Sequence, residues 1–452
     1  MSAATKKSAS AVVEPDCLEG FSSPRDVDRV FGHDDAATEF EEALRSGRLH
    51  HAWLLVGPEG IGKATLAYRL ARTVLAHAEA GDLLPGAPGD VAPDQPIFRK
   101  VAGLAHPNLL LIRRSWIEKT KRYSQVISVD EVRRLRSFLG STAGDGSWRV
   151  VIVDRADQLN QNAANALLKA LEEPPRDTLF LLVSNAEGRL PVTIRSRTRM
   201  LRPSSLDEAA LIDAVDAALT RDGIDADEET RRLALALSQG SVRRTLELVT
   251  GEGIGLYNDI IAMFEGLPDL DGAKVQRQAE KLASINETEH LELYLTLLLG
   301  LIERLVRYGA TGQGLVGSEP DFARRLITPE TLRAWAESWE TISAARAETM
   351  ALNLDRGLLV LNSWFGLQDL ASRTPSRRKN RVRLAGGEGK AMSPRKETIW
   401  LTDKLIPSPP RSRTRTMRRI SAMPTRRLRP TLLPGSGGCR GATCSSSPGR
   451  TS

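Results

Sequence analysis

The stretch from Gly57 to Thr65 has the residue types of a loop that binds phosphate. It reads Gly-Pro-Glu-Gly-Ile-Gly-Lys-Ala-Thr, follows an apolar run and opens a segment with helical periodicity. Glycines at 57, 60 and 62 let the backbone curl so that successive N–H groups point at phosphate oxygens, and Lys63 can reach the terminal phosphates. The sequence therefore predicts a P-loop in which Gly57, Gly60, Gly62 and Lys63 surround the phosphates of a nucleotide.

Two side chains that hydrolysis needs are missing from this predicted site. The residue after the lysine, where Ser or Thr would hold magnesium, is Ala64, and Thr65 lies about 100° further round a helix. A buried-strand pattern at residues 150–154 ends in Asp154, which is suited to steadying magnesium through water, but Arg155 follows where a glutamate would position the attacking water. A guanidinium stays charged and cannot accept a proton. The pattern therefore favours a degenerate site that could hold ATP without hydrolysing it, and leaves open whether nucleotide binds at all.

Short apolar runs alternate with helical stretches around these residues. Such alternation indicates a parallel sheet with helices on both faces, the α/β arrangement in which a P-loop is found. A helix is predicted at 34–46, and residues 81–95, rich in Gly, Pro and Asp, are predicted to form a surface loop. Strands are predicted at residues 52–56, 109–112, 150–154 and 178–183.

The second half of the chain has helical periodicity throughout. Residues 206–250 are predicted to form a small helical lid domain, and residues 256–370 a further all-helical domain with a strongly buried stripe. That stripe consists of Leu291, Leu295, Leu298, Leu299 and Ile302. The predicted domains are a flexible N-terminus at 1–24, an α/β P-loop domain at 25–204, the lid at 205–250, a helical collar or oligomerisation domain at 251–370, and a basic low-complexity tail at 371–452 that is predicted to be disordered.

The positive net charge is confined to the end of the chain. Residues from Ala371 onward contain 20 Lys and Arg against three acidic residues, which gives this segment a charge of +17. Because the whole chain has a net charge of +7, residues 1–370 carry −10. An acidic body is a poor candidate for broad binding of a phosphate backbone. The tail is basic enough to contact nucleic acid, but a solvated charge run or a product of a shifted reading frame would have the same composition.

The cysteine content and hydropathy point to a protein of the cytoplasm. The three cysteines are Cys17, Cys439 and Cys444, too few and too scattered for a disulfide framework or a four-thiolate zinc site. No apolar run approaches the roughly 18 residues that span a bilayer, and the N-terminal residues lack the apolar centre of a secretory signal. We therefore expect a reducing compartment and no membrane segment.

Three further segments carry a resemblance to a known family. They are Arg-Leu-His-His-Ala-Trp-Leu-Leu at 48–55, Ala-Ala-Asn-Ala-Leu-Leu-Lys-Ala-Leu-Glu-Glu-Pro-Pro at 163–175 and Thr-Ile-Arg-Ser-Arg-Thr at 193–198. With the P-loop, His106-Pro107 and residues 127–135, they resemble clamp-loader subunits of the AAA+ class, and their order is most similar to the delta-prime family of bacterial DNA polymerase III. The resemblance is clear over 30–244 and general as far as 370, and the element at 163–175 is its most specific part.

This resemblance implies roles for particular residues. Ser196-Arg197-Thr198 matches the Ser-Arg-Cys motif of the family, so that Arg197 would be an arginine finger acting in trans on the ATP site of a neighbouring subunit. Asn185 would be a sensor of the terminal phosphate, and Arg243, within Gly-Ser-Val-Arg at 240–243, a phosphate contact from the lid. Many members also carry a four-cysteine zinc module after the P-loop, but residues 78–105 contain no cysteine, so no zinc is expected.

The function implied by the resemblance is to help load the sliding clamp onto primed DNA during replication. The chain would work within a DNA polymerase III complex, a DNA-directed DNA polymerase, beside gamma or tau ATPase subunits and a delta subunit, with no ATP hydrolysis of its own. One alternative is a true ATP-hydrolysing motor such as the gamma/tau subunit, and Ala64 and Arg155 count against it. Another is an independent nucleotide-sensing DNA-binding module, and the acidic body counts against that.

Overall fold

The structure is a computed structural model that describes residues 13–15, 17–80, 91–140, 148–284, 288–352 and 354–373. Most of the predicted loop at 81–95 and nearly all of the predicted tail at 371–452 lie outside the described residues, as do residues 1–12. Other residues near the N-terminus are described. Among them, the Ser22 backbone N–H donates to the Asp222 carboxylate at 3.2 Å, and Glu14 forms ion pairs with Arg25 and Arg113.

A five-stranded parallel sheet lies at the centre of the N-terminal half. Its strand order is β2-β5-β6-β1-β7, and every neighbouring pair is parallel. A separate antiparallel hairpin consists of β3 and β4. The strands are β1 (Ala52–Val56), β2 (Leu109–Ile112), β3 (Trp116–Ile117), β4 (Arg122–Tyr123), β5 (Arg149–Val153), β6 (Thr178–Ser184) and β7 (Arg199–Leu201).

The sheet is covered on both faces, and its strands β1 and β6 are buried at every position. In β1, Trp53 packs in the cluster on one face, with Phe40 5.1 Å away between ring centroids, whereas Leu54 packs with Leu167 on the other face. Alternate side chains of a strand point to opposite faces, so a fully apolar strand requires two covering layers. The helices in this half are α1 (Asp34–Arg45), α2 (Lys63–Ala80), α3 (Pro96–Ala102), α4 (Val129–Gly140), α5 (Gln161–Glu172) and α6 (Val192–Arg195).

The predicted strands are confirmed with small shifts at their ends. The strands at 52–56 and 109–112 have the predicted bounds, the third runs from 149 to 153 so that Asp154 lies just beyond it, and the fourth extends to Ser184. The helix predicted at 34–46 ends one residue earlier, at Arg45. The parallel sheet with helices on both faces, followed by a helical region, is the predicted fold class.

The remainder of the described chain is helical, as predicted. The stripe around Leu295 in α12 is buried throughout and packs against Phe264 and Trp364 from other helices in one apolar cluster. Among the described residues, no helix has the length and apolar character needed to cross a membrane. The helices are α7 (Glu208–Asp222), α8 (Glu228–Leu237), α9 (Val242–Thr250), α10 (Gly253–Gly266), α11 (Gly272–Ala283), α12 (Thr288–Thr311), α13 (Glu319–Leu326), α14 (Leu332–Leu352) and α15 (Arg356–Ser372).

Candidate nucleotide site and the Arg197 surface

The predicted P-loop connects β1 to α2. The strand ends at Val56 and the helix begins at Lys63, so the N-terminal end of α2 faces the loop as the phosphate-binding pattern requires. Gly60 and Gly62 have φ angles of 78° and 98°, in the left-handed region that glycine adopts without strain. A Cβ atom at Gly60 would also collide with Ser241 Oγ and with Arg243 Cβ. The turn therefore requires glycine at 60 both for its backbone angles and for space.

Lys63 is buried and bonded within the loop. Its side chain is only 4% exposed, and its Nζ donates a hydrogen bond to the carbonyl oxygen of Pro58. Burial lowers the pKa of Lys63 from 10.5 to about 8, against the opposing attraction of Glu59 and Asp154. The ammonium group that would meet the terminal phosphates is thus poorly solvated and already donates to the protein backbone.

Arg155 lies beside the P-loop, at the position where a hydrolytic site has a glutamate. Its Nη1 is 3.1 Å from Glu59 Oε1, and its Nη2 is 3.7 Å from Asp157 Oδ2. The residue has a φ angle of 65°, which turns the chain sharply after β5. Because the guanidinium forms an ion pair with the loop itself, it lies close to where an attacking water would be activated and cannot activate one.

The other predicted site residues are located at the carboxyl ends of neighbouring strands. Asp154 follows β5, is buried, and donates its backbone N–H to the Ile112 carbonyl at 2.9 Å. Asn185 follows β6, and its backbone N–H donates to Asp157 Oδ1 at 3.1 Å. Since β5, β6 and β1 are adjacent in the sheet, the structure brings these residues to the same edge as the P-loop, which is where ligands bind in open parallel sheets.

Helix α9 closes on the P-loop from the helical region. Ser241, its N-cap residue, donates its hydroxyl to the Glu59 carbonyl at 2.9 Å, and the Arg243 backbone N–H donates to the Gly60 carbonyl at 3.1 Å. The Arg243 guanidinium is directed elsewhere: its Nε donates to Glu247 Oε1 at 2.7 Å and its Nη1 to the Cys17 carbonyl at 3.4 Å. The predicted phosphate contact from Arg243 therefore lies next to the loop, and its side chain is engaged with protein groups.

His33 is a residue of this site that sequence reasoning missed. It is buried and adjacent to Gly62, and its Nε2–H donates to the carbonyl of Ile61 at 2.6 Å, while burial lowers its pKa. Lys63, Ser241, Arg243 and His33 therefore donate in turn to the four consecutive carbonyls at 58–61. A lone histidine before a predicted helix gives no signal for such a contact, since it is more often a core residue.

Arg197 lies on a different part of the sheet domain, just after the short helix α6. Its Nη2 is 2.9 Å from Glu172 Oε1, and its Nη1 donates to the Thr193 carbonyl at 3.0 Å and, at 3.4 Å, to Ser196 Oγ. The side chain is 36% exposed, and the neighbouring Val192 is 68% exposed, so this surface is open to solvent. None of these Arg197 partners belongs to the P-loop. The predicted arginine finger and the predicted nucleotide site are therefore separate sites within the chain.

The P-loop follows strand β1, an acid follows β5, a polar residue follows β6, and a set of helices comes after the sheet. Together these features define a P-loop protein of the AAA+ class. Comparison with known proteins agrees. Residues 32–207 match the family described as DNA polymerase III, delta subunit. The DNA polymerase III subunit delta-prime of Pseudomonas aeruginosa is 34% identical over 269 residues, which cover 59% of this chain and 75% of that protein. The chain belongs to the DNA polymerase III delta-prime family.

More distant relatives include the tau and gamma subunits of DNA polymerase III. The tau subunit of DNA polymerase III from Escherichia coli is 28% identical over 297 residues, covering 62% of this chain and 44% of that protein. A solved structure of a gamma subunit-related protein from Thermotoga maritima has a TM-score of 0.38 and 17% identity over 75% of this chain and all of that one. The homologues of the chain are thus the delta-prime, tau and gamma clamp-loader subunits of DNA polymerase III.

Proposed function

We propose that the chain is a clamp-loader subunit that completes the ATP site of a neighbouring ATPase subunit and hydrolyses no ATP itself. The observation that carries this proposal is the contrast between its two arginine-containing sites. Arg155 is paired with Glu59 beside a loop that lacks a magnesium-binding hydroxyl at Ala64, whereas Arg197 stands on a solvent-open surface. A fixed guanidinium supplied across a subunit boundary stabilises the charge that develops on a transferred phosphoryl group.

ATP remains a candidate ligand for the P-loop, without hydrolysis. The backbone of residues 57–62 has the shape of a phosphate loop, but Lys63 would have to exchange the Pro58 carbonyl for phosphate oxygens. Magnesium would lack the side-chain hydroxyl that normally follows the lysine, and Arg155 would add positive charge in place of a base. The expected partners in the complex are gamma or tau ATPase subunits and a delta subunit, with the sliding clamp and primed DNA contacted through the assembly.

The test is the steady-state ATP turnover of the purified chain, alone and then with the partner ATPase, the delta subunit, the clamp and primed DNA. We expect no turnover by the chain alone and a rise in the activity of its partners on mixing. Arg197→Ala should preserve assembly and lower the DNA-stimulated turnover, because an arginine finger contributes on the order of 10³–10⁵ in rate at the one site it serves. Arg197→Lys should be nearly as low, since an ammonium lacks the planar fork of donors.

The matched control is Arg189→Ala, which removes another exposed arginine that precedes α6. It should leave turnover unchanged. If Arg197→Ala also left turnover unchanged in a fully assembled complex, Arg197 would have no role as a finger. Robust turnover by the chain alone would instead support the motor-ATPase alternative, because it would show that Ala64 and Arg155 do not disable the site.

A further inference from the structure

The most specific sequence element of the chain, at 163–175, has no role in the proposed function as stated so far. Its residues 163–172 form all of α5 except the first two positions, and Leu167 and Leu171 are buried against the sheet. Asn160 caps the start of this helix by accepting the Ala163 backbone N–H at 2.8 Å. A capped and packed helix holds its last residue in a defined place. That residue is Glu172, whose side chain is 48% exposed.

Glu172 and the backbone of α6 hold the Arg197 guanidinium from two sides. Oε1 of Glu172 is 2.9 Å from Nη2, and the Thr193 carbonyl accepts from Nη1 at 3.0 Å. These two contacts come from different elements, so together they restrain the guanidinium from two directions. Within the described part of the chain, Nη1 donates both hydrogen bonds of the guanidinium, so Nε–H and Nη2, beside its ion pair with Glu172, remain for an incoming acceptor.

We infer that Glu172 is a positioning residue for the arginine finger, an inference that rests on the proposed function of Arg197. A free arginine side chain must lose the freedom of several rotatable bonds when it engages a phosphoryl group. Glu172 removes part of that freedom before the neighbouring subunit docks, and its negative charge holds the cation at the surface. Glu172 itself touches no reacting atom.

The test measures the DNA-stimulated ATP turnover of the complete complex at a range of ATP concentrations, with variants at Glu172. Glu172→Ala should lower kcat about two- to fivefold, the range expected when an exposed ion pair that aligns one group is removed. The KM for ATP should change less than twofold, because nucleotide binding lies in the neighbouring subunit. Glu172→Gln keeps the length and one oxygen of the side chain but loses its charge, so it should recover only part of the lost kcat.

Combining each Glu172 substitution with Arg197→Ala in a double variant distinguishes a positioning role from a structural role. There, Glu172→Ala should have no further effect, because the group it positions is absent. Glu173→Ala is the matched control, since Glu173 is the adjacent exposed glutamate. The complex that contains this variant should have the same ATP turnover as the wild-type complex.

Three results would overturn the inference. The first is an unchanged kcat for Glu172→Ala while Arg197→Ala is impaired. The second is a raised kcat for Glu172→Ala, which would mean that the carboxylate restrains the finger, and the third is a further loss of kcat when Glu172→Ala is added to Arg197→Ala. The first two would leave the proposed function of Arg197 standing. If Arg197→Ala itself left turnover unchanged, the proposed function and the role of Glu172 would both be rejected.

Discussion

Replacing Lys63 by methionine should stabilise the protein at neutral pH. The lowered pKa of about 8, against 10.5 for a solvated lysine, means that folding disfavours the charged form by about 3 kcal/mol. Methionine has a similar length and no charge, so Lys63→Met removes that cost. It also leaves the Pro58 carbonyl without its donor, which costs about 1–2 kcal/mol. The net expectation is a gain of about 1–2 kcal/mol in the free energy of unfolding at pH 7.

The same perturbation should depend on pH in a defined direction. The folded-state pKa lies below the unfolded value, so the unfolded chain binds more protons between about pH 8 and 10.5. The wild type therefore gains stability from Lys63 as the pH rises through this window, whereas the methionine variant has no group there to titrate. The advantage of Lys63→Met should be greatest below pH 8, and it should turn into a small net loss near pH 10.5, because the missing hydrogen bond to the Pro58 carbonyl costs the variant stability at every pH.

Urea unfolding of both proteins at pH 7 and pH 10, followed by circular dichroism, measures this difference. Lys100→Met, at an exposed position on α3, is the control and should change stability by less than about 0.5 kcal/mol. A Lys63→Met variant that is destabilised at pH 7, or an advantage that is the same at both pH values, would refute the reasoning that the ammonium is buried at a cost. In the reconstituted complex, Lys63→Met should also leave DNA-stimulated ATP turnover nearly unchanged, because this site is not expected to hydrolyse ATP.

Two further predictions concern stability. Glu319 is fully buried and forms an ion pair with Arg304, so Glu319→Gln should cost about 3 kcal/mol by leaving a buried guanidinium uncompensated, whereas the exposed control Glu337→Gln should cost little; urea unfolding measures both, and a loss below about 1 kcal/mol would contradict the expectation. Asn160→Ala should cost about 1 kcal/mol through loss of the α5 cap, and equal melting temperatures for it and for the exposed control Asn162→Ala would show that the cap is unimportant.

The strands that could be predicted are those that consist almost entirely of apolar residues. Residues 52–56 and 109–112 are apolar at every position, and both form strands with the predicted bounds. Strand β7 could not be predicted, since it has three residues and begins with the exposed Arg199. It is a strand because Trp53 of β1 pairs with Arg199 in parallel register, and the guanidinium carbon of Arg199 lies 4.7 Å from the centre of the Trp53 ring. Such a strand depends on a partner that is distant in sequence.

The candidate site divides in the same way. The glycines and Lys63 could be located from sequence because phosphate binding demands those residue types at fixed spacing in one short segment. The contacts of Glu59 could not be located, because its ion-pair partner Arg155 is 96 residues away and the hydroxyl of Ser241 that bonds its carbonyl is 182 residues away. Periodicity and motif spacing carry no information about such distant pairs.

The carbonyl contacts of the P-loop explain why its form does not by itself imply that nucleotide is used. Donors from α2, α9 and the start of α1 reach four successive carbonyls, and each such bond contributes about 1 kcal/mol to holding the loop in place. Gly60 must be glycine because α9 packs against it, whether or not phosphate binds on the N–H side. The loop therefore serves as a joint between the sheet domain and the helices that follow. The function proposed for Arg197 requires no ATP hydrolysis at Lys63, and the hydrogen bonds of this joint are made entirely by protein groups.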